Sequence, residues 1–251
     1  MKNSIIQTLS RFTPITLEEM QHIRLMNRTD TKYLTTLPAL EELLFLAQKQ
    51  YRIQEIGNDR NMPYYTLYYD TPALDMFRAH QNGKLGRQKI RTRSYVNSGH
   101  TFLEIKNKNN KGRTDKRRIR IPSVEIRPEA CRDFLSGITR YPAESLSGQL
   151  ENRFNRITLV NRQMTERLTI DTELCFHNLR NDNRRTLEQL VIIEQKRDGN
   201  TPSPIREILR TLRIHPAGFS KYCMGTILTD STLKHNRLKP RLHALEHLLS
   251  C

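Results

Sequence analysis

Tryptophan is absent from this 251-residue chain, and aromatic residues make up only 7% of it. A surface that stacks nucleobases needs aromatic platforms, so this scarcity weighs against a nucleic-acid partner. The four cysteines, Cys131, Cys175, Cys223 and Cys251, are scattered and form no CxxC pair. A chain of this length needs no disulfide framework, and free thiols in a reducing cytoplasm are expected. No GxxxxGK[ST] loop occurs; Asn82-Gly83-Lys84-Leu85-Gly86 has glycines but reads as a turn before a strand. The longest apolar patch, around Leu43 to Ala47, is too short to span a bilayer. Gln7, Thr8 and Ser10 interrupt the N-terminal segment, which makes a poor signal peptide. The expected location is therefore cytoplasmic, either free or peripheral to a membrane.

Acidic residues are also few. Asp and Glu number 26 against 42 Lys and Arg, a formal charge of +16. Such an excess implies an anionic partner: nucleic acid, phosphorylated metabolites or an acidic membrane surface. The cations are patterned. Lys89, Arg91 and Arg93 occupy alternate positions, as do Glu104, Lys106 and Lys108, and then Lys116, Arg118 and Arg120. Side chains two apart on a strand share a face. Apolar alternates such as Leu103 and Ile105, or Ile119 and Ile121, fall on the other face. Asn97-Ser98-Gly99 and the Asn109 to Gly112 segment supply hairpin turns.

Elsewhere Thr16 to Arg24 reads as a short helix capped by Thr16, and Asn27 to Leu34 as a polar strand. Pro38 to Gln50 reads as an amphipathic helix, Tyr64 to Asp70 as a strand, and Pro72 to Gln81 as a helical turn. Pro128 to Ser136 suggests a helix. Asn152 to Asn161 and Thr165 to Asp171 are expected to pair through a tight turn, and Gln189 to Arg197 is a Val- and Ile-rich strand. Helices are expected over Pro204 to Leu212 and Leu238 to Leu249. With no repeat or linker, residues 1–251 are expected to form one α+β domain, its core at about 28–222 and a C-terminal tail at 230–251.

A solvated sheet face normally mixes charge signs, whereas this one is nearly all positive. Glu194 and Lys196, inside an otherwise apolar strand, are hard to explain as surface decoration. Closing the sheet into an antiparallel barrel of about eight strands would turn the basic faces inward around a ligand. The expected architecture is thus a closed barrel forming a basic tunnel, flanked by helices. Arginine forks and lysine ammonium groups suit phosphate, and a chain of phosphates is the natural occupant.

The pieces in order are Arg28-Thr29-Asp30-Thr31-Lys32-Tyr33, Tyr68-Tyr69-Asp70-Thr71, Lys89 to Arg93 with Tyr95, and Phe102 to Lys106. They continue with Gly112-Arg113 through Arg118, Arg167 to Asp171, Glu194-Gln195-Lys196 and Ser220-Lys221-Tyr222. Together they resemble the VTC domain, the polyphosphate polymerase branch of the triphosphate tunnel metalloenzymes. That resemblance implies an enzyme that moves the γ-phosphoryl group of ATP onto a growing inorganic polyphosphate chain. It implies catalytic roles for Lys32, Arg91, Arg93, Glu194 and Lys196, and phosphate binding by Lys89, Lys106, Lys108, Lys116, Arg118, Arg167 and Lys221. Glu194 is implied as the main metal ligand and Glu104 as a second, with Mn²⁺ or Mg²⁺ suited to carboxylate and phosphate oxygens. ATP and polyphosphate are the implied partners, with a membrane protein as a further candidate and no nucleic acid. Eukaryotic members add an inositol-phosphate-sensing domain and a membrane anchor, neither of which is expected in 251 residues.

One departure is informative. Triphosphatase members of the wider superfamily open with ExExK, whereas Arg28 and Asp30 precede Lys32 here. Losing a carboxylate favours chain synthesis over hydrolysis, since hydrolysis needs an activated water. The alternatives are a triphosphatase acting on ATP or inorganic triphosphate, and a non-catalytic binder of polyphosphate or nucleic acid. His243 and His247 lie four apart without further zinc ligands and read as part of a frayed tail.

Overall fold

The computed structural model of the chain describes residues 3–21, 23, 28–111, 113–124, 127–199 and 201–250, with backbone only at positions 3 and 28. Eight strands follow one another across a single antiparallel sheet. In spatial order they are β2 (Arg28–Thr36), β11 (Leu190–Asp198), β9 (Glu166–Asn178), β8 (Ser147–Asn161), β4 (Met62–Asp70), β5 (Arg87–Tyr95), β6 (His100–Lys108) and β7 (Thr114–Ile121). Three short strands extend it: β1 (Thr13–Ile15) pairs with β3 (Tyr51–Gln54), β3 with β8, and β10 (Arg184–Leu187) with β9.

The expected closed barrel is not what forms. Among the described residues β11 is the one strand that pairs with β2, and β6 the one that pairs with β7, so the sheet is open; the outer edge of β2 meets only an isolated bridge, Tyr33 to Pro216, with the Ala217 N–H donating to the Lys32 carbonyl at 2.8 Å. The inward face of β7 carries Lys116 and Arg118, and that of β2 carries Asp30 and Lys32. Lysine on an edge strand is a usual device against further strand pairing, and each of these edges carries one. The sheet instead curls into a trough whose two walls face one cavity.

The outer face of the sheet supplies two of the cores, and a third takes in residues that line the trough, among them Tyr64, Tyr68 and Ile192. Helices α1 (Asn3–Ser10), α3 (Leu37–Ala47) and α6 (Pro204–Thr211) cover β2, β8, β9 and β11 through Ile5, Leu40, Leu44, Ile170, Ile193 and Ile205. The short helix α5 (Arg132–Leu135) and its neighbours cover Leu67, Ile90, Leu103 and Ile105. A third cluster joins α4 (Asp75–Gln81), α7 (Lys221–Thr229) and α8 (Lys239–Ser250) to β8 and β9. In it Gly225 brings α7 so close to the sheet that an added Cβ would lie 2.4 Å from the Phe176 ring.

The helix expected over Thr16 to Arg24 is a single turn, α2 (Leu17–Met20). Thr16 Oγ1 accepts from the Glu19 N–H and the Glu19 carboxylate accepts from the Thr16 N–H, a reciprocal capping box. Arg24, Asn27 and Gly112 lie outside the described residues. Helix α8 is not a frayed tail: Leu245 is buried against the third cluster.

Candidate functional site: a basic trough

Strand register turns the alternating charges into rows. Lys89, Lys106 and Lys116 stand side by side on β5, β6 and β7. One step along comes Arg91, Glu104 and Arg118, and then Arg93 beside Phe102. On the other wall Lys32 is level with Glu194 and Thr169, Asp30 with Lys196 and Arg167, and Ile192 with Asp171 and Arg156. The walls enclose a cavity of about 680 Å³ lined by eleven cationic side chains and three carboxylates, Asp30, Asp171 and Glu194.

Eleven of the expected site residues line it: Lys32, Lys89, Arg91, Arg93, Lys106, Lys116, Arg118, Arg167, Glu194, Lys196 and Lys221. Lys108 does not; it pairs with Arg87 and Thr114 where the strands end. Glu104 lies beneath the surface, wholly buried. Its Oε2 accepts from Arg91 Nε and Nη2 at 2.9 and 2.7 Å, and its Oε1 meets Lys116 Nζ at 2.6 Å. A metal ion at Glu104 would have to displace one of these cations. Arg28 contributes backbone pairing to Asp198, and its side chain is not described.

Arg156 and Asp171 were not anticipated as site residues. Arg156 Nε and Nη2 donate to the two Asp171 oxygens at 2.6 and 2.8 Å, and Lys221 Nζ also donates to Oδ2. The signal was available: a hairpin turning near Asn161 places Arg156 opposite Asp171. Aromatic rings back several cations. Arg93 and Arg156 lie over Tyr64, Arg118 over Phe102 and Lys221 over Phe154. With Phe154 stacked against it and two guanidinium groups over its ring, Tyr64 serves the wall.

Crowding reshapes the acidities. Burial alone would raise the Glu194 pKa, but Lys196, Lys32, Arg156 and Lys106 outweigh it and hold the carboxyl well below its ordinary range. Glu104 and Asp171 are held low in the same way by their own cations. Lys106 is pushed down to about 6, first by Arg91, then by burial and Arg93. Burial foremost pushes Lys89, Lys196 and Lys221 down to about 8. Arg93 is 8% exposed, and its Nε has no hydrogen-bond partner. These walls hold cationic hydrogen-bond donors in excess of their own acceptors, which suits an anion with many oxygens.

No group of three or more His, Cys, Asp or Glu side chains converges to hold a metal among the described residues. Glu194 nevertheless fits a hard divalent ion. Its carboxylate reaches the cavity, with Lys32 and Lys196 at 3.5 and 3.2 Å on Oε1. Mg²⁺ and Mn²⁺ commonly take one or two protein carboxylates and fill the remaining positions with phosphate oxygens and water. No helix among the described residues is long and apolar enough to cross a membrane.

Comparison with known proteins gives the trough its family. Among solved structures, a candidate adenylate cyclase from Bacillus halodurans is 15% identical over 78% of this chain and 96% of its own, with a TM-score of 0.50. A candidate adenylyl cyclase from Hippeastrum, described as having a dominant triphosphatase activity, is 16% identical over 80% and 95%, with a TM-score of 0.49. Curated protein sequences give no match. The VTC domain model matches residues 27–229, most of the chain and every strand that lines the trough. The chain belongs to the VTC domain family.

Proposed function

We propose that this protein transfers the γ-phosphoryl group of ATP onto the end of an inorganic polyphosphate chain held in the trough. The observation that carries this reading is the state of three carboxylates, Asp171, Glu104 and Glu194. Asp171 and Glu104 are consumed by cations, and Glu194 sits between two lysines. All three are held at low pKa, so they are weak bases for activating water. Chain synthesis needs no such base, because the attacking terminal phosphate oxygen is already ionised. That oxygen bonds to the γ-phosphorus, the bond to the β,γ-bridging oxygen breaks, and ADP leaves.

What the reaction requires of the chain is alignment and charge neutralisation. Lys89, Arg91, Arg93, Lys106, Lys116 and Arg118 would hold one phosphate run from the β5–β7 wall, and Lys32, Arg167 and Lys196 would meet it from the opposite wall. Lys108, at the end of its wall, would attract a chain only as it enters. Lys221 and Arg156 share Asp171 and have charge to spare for phosphate. Glu194 would hold Mn²⁺ or Mg²⁺, which supplies Lewis-acid charge to the phosphoryl oxygens when bound.

The test is incubation of purified protein with ATP and Mn²⁺, or Mg²⁺ in parallel, with products resolved by chain length. Long phosphate polymers are expected. Orthophosphate as the sole product would overturn the proposal in favour of a triphosphatase. No turnover with tight tripolyphosphate binding would make the protein a binder.

A further inference from the structure

Ser220 is a hydroxyl in the trough that a lysine addresses directly. It lines the cavity, is 8% exposed, and accepts a hydrogen bond from Lys89 Nζ at 3.0 Å. It is also the N-cap of α7, accepting from the Cys223 N–H at 3.3 Å. A cap needs only the backbone contact, and nothing in capping calls for a buried lysine on the same oxygen. A serine hydroxyl paired with a lysine amine is an arrangement for nucleophilic attack, with the lysine taking the proton. Ser220 shares its cavity with Arg93, whose guanidinium has an unpartnered Nε.

We infer that Ser220 is a nucleophile that accepts a γ-phosphoryl group from ATP when no phosphate chain is present, giving a phosphoserine on which synthesis can begin. This rests on the polymerase reading above. Ser220 Oγ bonds to the γ-phosphorus, its proton passes to neutral Lys89 Nζ, and the bond to the β,γ-bridging oxygen breaks to release ADP. The product is well accommodated. A phosphate at position 220 meets the first N–H groups of the nine-residue α7, where anions are favoured. Lys89 already donates to that oxygen. An enzyme that extends a chain needs a first acceptor, and a serine within the phosphate-binding wall supplies one.

Lys89 must shed its proton to act. It faces His80 from α4, Arg87 and Arg91 on its own strand, Lys106 on β6, Lys32 on β2 and the Cys223 thiol on α7. None of these is a carboxylate; burial is the chief cause, and Arg91, Arg87 and Lys32 add to it, which leaves Lys89 near 8. A bound triphosphate shifts that midpoint upward, so labelling should rise with pH to a plateau above about 8.

The experiment uses the intact chain with [γ-³²P]ATP and Mn²⁺, without added polyphosphate. Acid-stable label is counted, and the site is located by mass spectrometry of the digest. About one phosphate per chain at Ser220 is expected, and added linear polyphosphate should compete it away. Ser220→Ala should lose the label. Ser220→Thr, which keeps both cap and hydroxyl, should carry it as phosphothreonine. Lys89→Arg keeps the charge but cannot take a proton, and should slow labelling on the order of 10²-fold. Polymer formed with no label at Ser220 overturns the inference and leaves the polymerase reading standing. Phosphoserine without polymer upholds the nucleophile and overturns the polymerase reading. Equal labelling rates in wild type and Lys89→Arg, or a rate flat from pH 6 to 9, would refute the role of Lys89.

Discussion

Replacing Asp171 by Asn separates a carboxylate that holds the wall together from one that serves a ligand. Asp171 is 4% exposed at its side chain and neutralises two cations that are each 13% exposed, Arg156 and Lys221. Removing one member of a buried ionic cluster costs about 3–5 kcal/mol, because the remaining charges stay buried without compensation. Asn keeps the shape and one acceptor, so the lower end, about 3 kcal/mol, is expected. For a chain of this size that is roughly 6–12 °C in Tm, readable by calorimetry. The freed Arg156 and Lys221 should then welcome an added anion. Tripolyphosphate should raise the Tm of Asp171→Asn by more than it raises that of the wild type, since a ligand stabilises in proportion to its affinity for the folded state. In the wild type the Asp171 contribution is complete above its unfolded pKa of 3.8 and is lost as pH falls toward its depressed folded value. A loss below about 1 kcal/mol, or equal tripolyphosphate shifts in the two proteins, would refute the reasoning.

Glu194→Ala should abolish turnover while tripolyphosphate still binds, because the loss of a carboxylate leaves Lys32 and Lys196 unneutralised; unchanged turnover would remove Glu194 from the metal site. The depressed lysines make stability depend on pH. Lys106 folds with a pKa of about 6 against 10.5 unfolded, so between these values the unfolded state binds more protons and stability should rise with pH. Triphosphate binding near pH 7.5 should return protons to Lys106 and its neighbours, measurable by calorimetry in buffers of different ionisation enthalpy; absence of proton uptake would contradict the crowding. Gly225→Ala, ordinarily a gain of about 1 kcal/mol within a helix, should instead destabilise by roughly 1–3 kcal/mol through collision with Phe176 and Leu150. A stabilised variant would show that α7 can lift from the sheet at little cost.

Much of the trough was legible because alternation on a strand is a local property. Lys89, Arg91 and Arg93 could be placed on one face from spacing alone, and Ile90 and Leu103 on the other. Closure was not legible. Whether β2 meets β7 depends on how strands far apart in sequence are placed, and no local pattern reports that placement. Helix α7 was missed for a different reason. Its sequence, KYCMGTILT, is rich in Thr and includes a Gly, residues of poor helix propensity. It is helical because Ser220 caps it and because Tyr222 donates to the buried Asp70 at 2.6 Å. Asp70 in turn accepts from the Met76 and Phe77 N–H groups at 2.9 Å, tying the start of α4 to α7.

The same distinction separates the cations that were foreseen from the pair that was not. Arg91 was visible in a run of alternating charges. Arg156 lies between Phe154 and Thr158 with no charged neighbour two residues away, and its place in the wall is set by Asp171 across the hairpin and Lys221 beyond it. These long-range pairings consume the carboxylates and so decide the chemistry open to the trough. A sequence that counts Asp30, Glu104, Asp171 and Glu194 as four acids suggests hydrolysis as readily as transfer. With two of them tied to cations and Glu194 pinned low between lysines, the balance moves toward transfer between phosphates. In the proposed reaction the acidic residues tune the cations, and the cations hold the substrate.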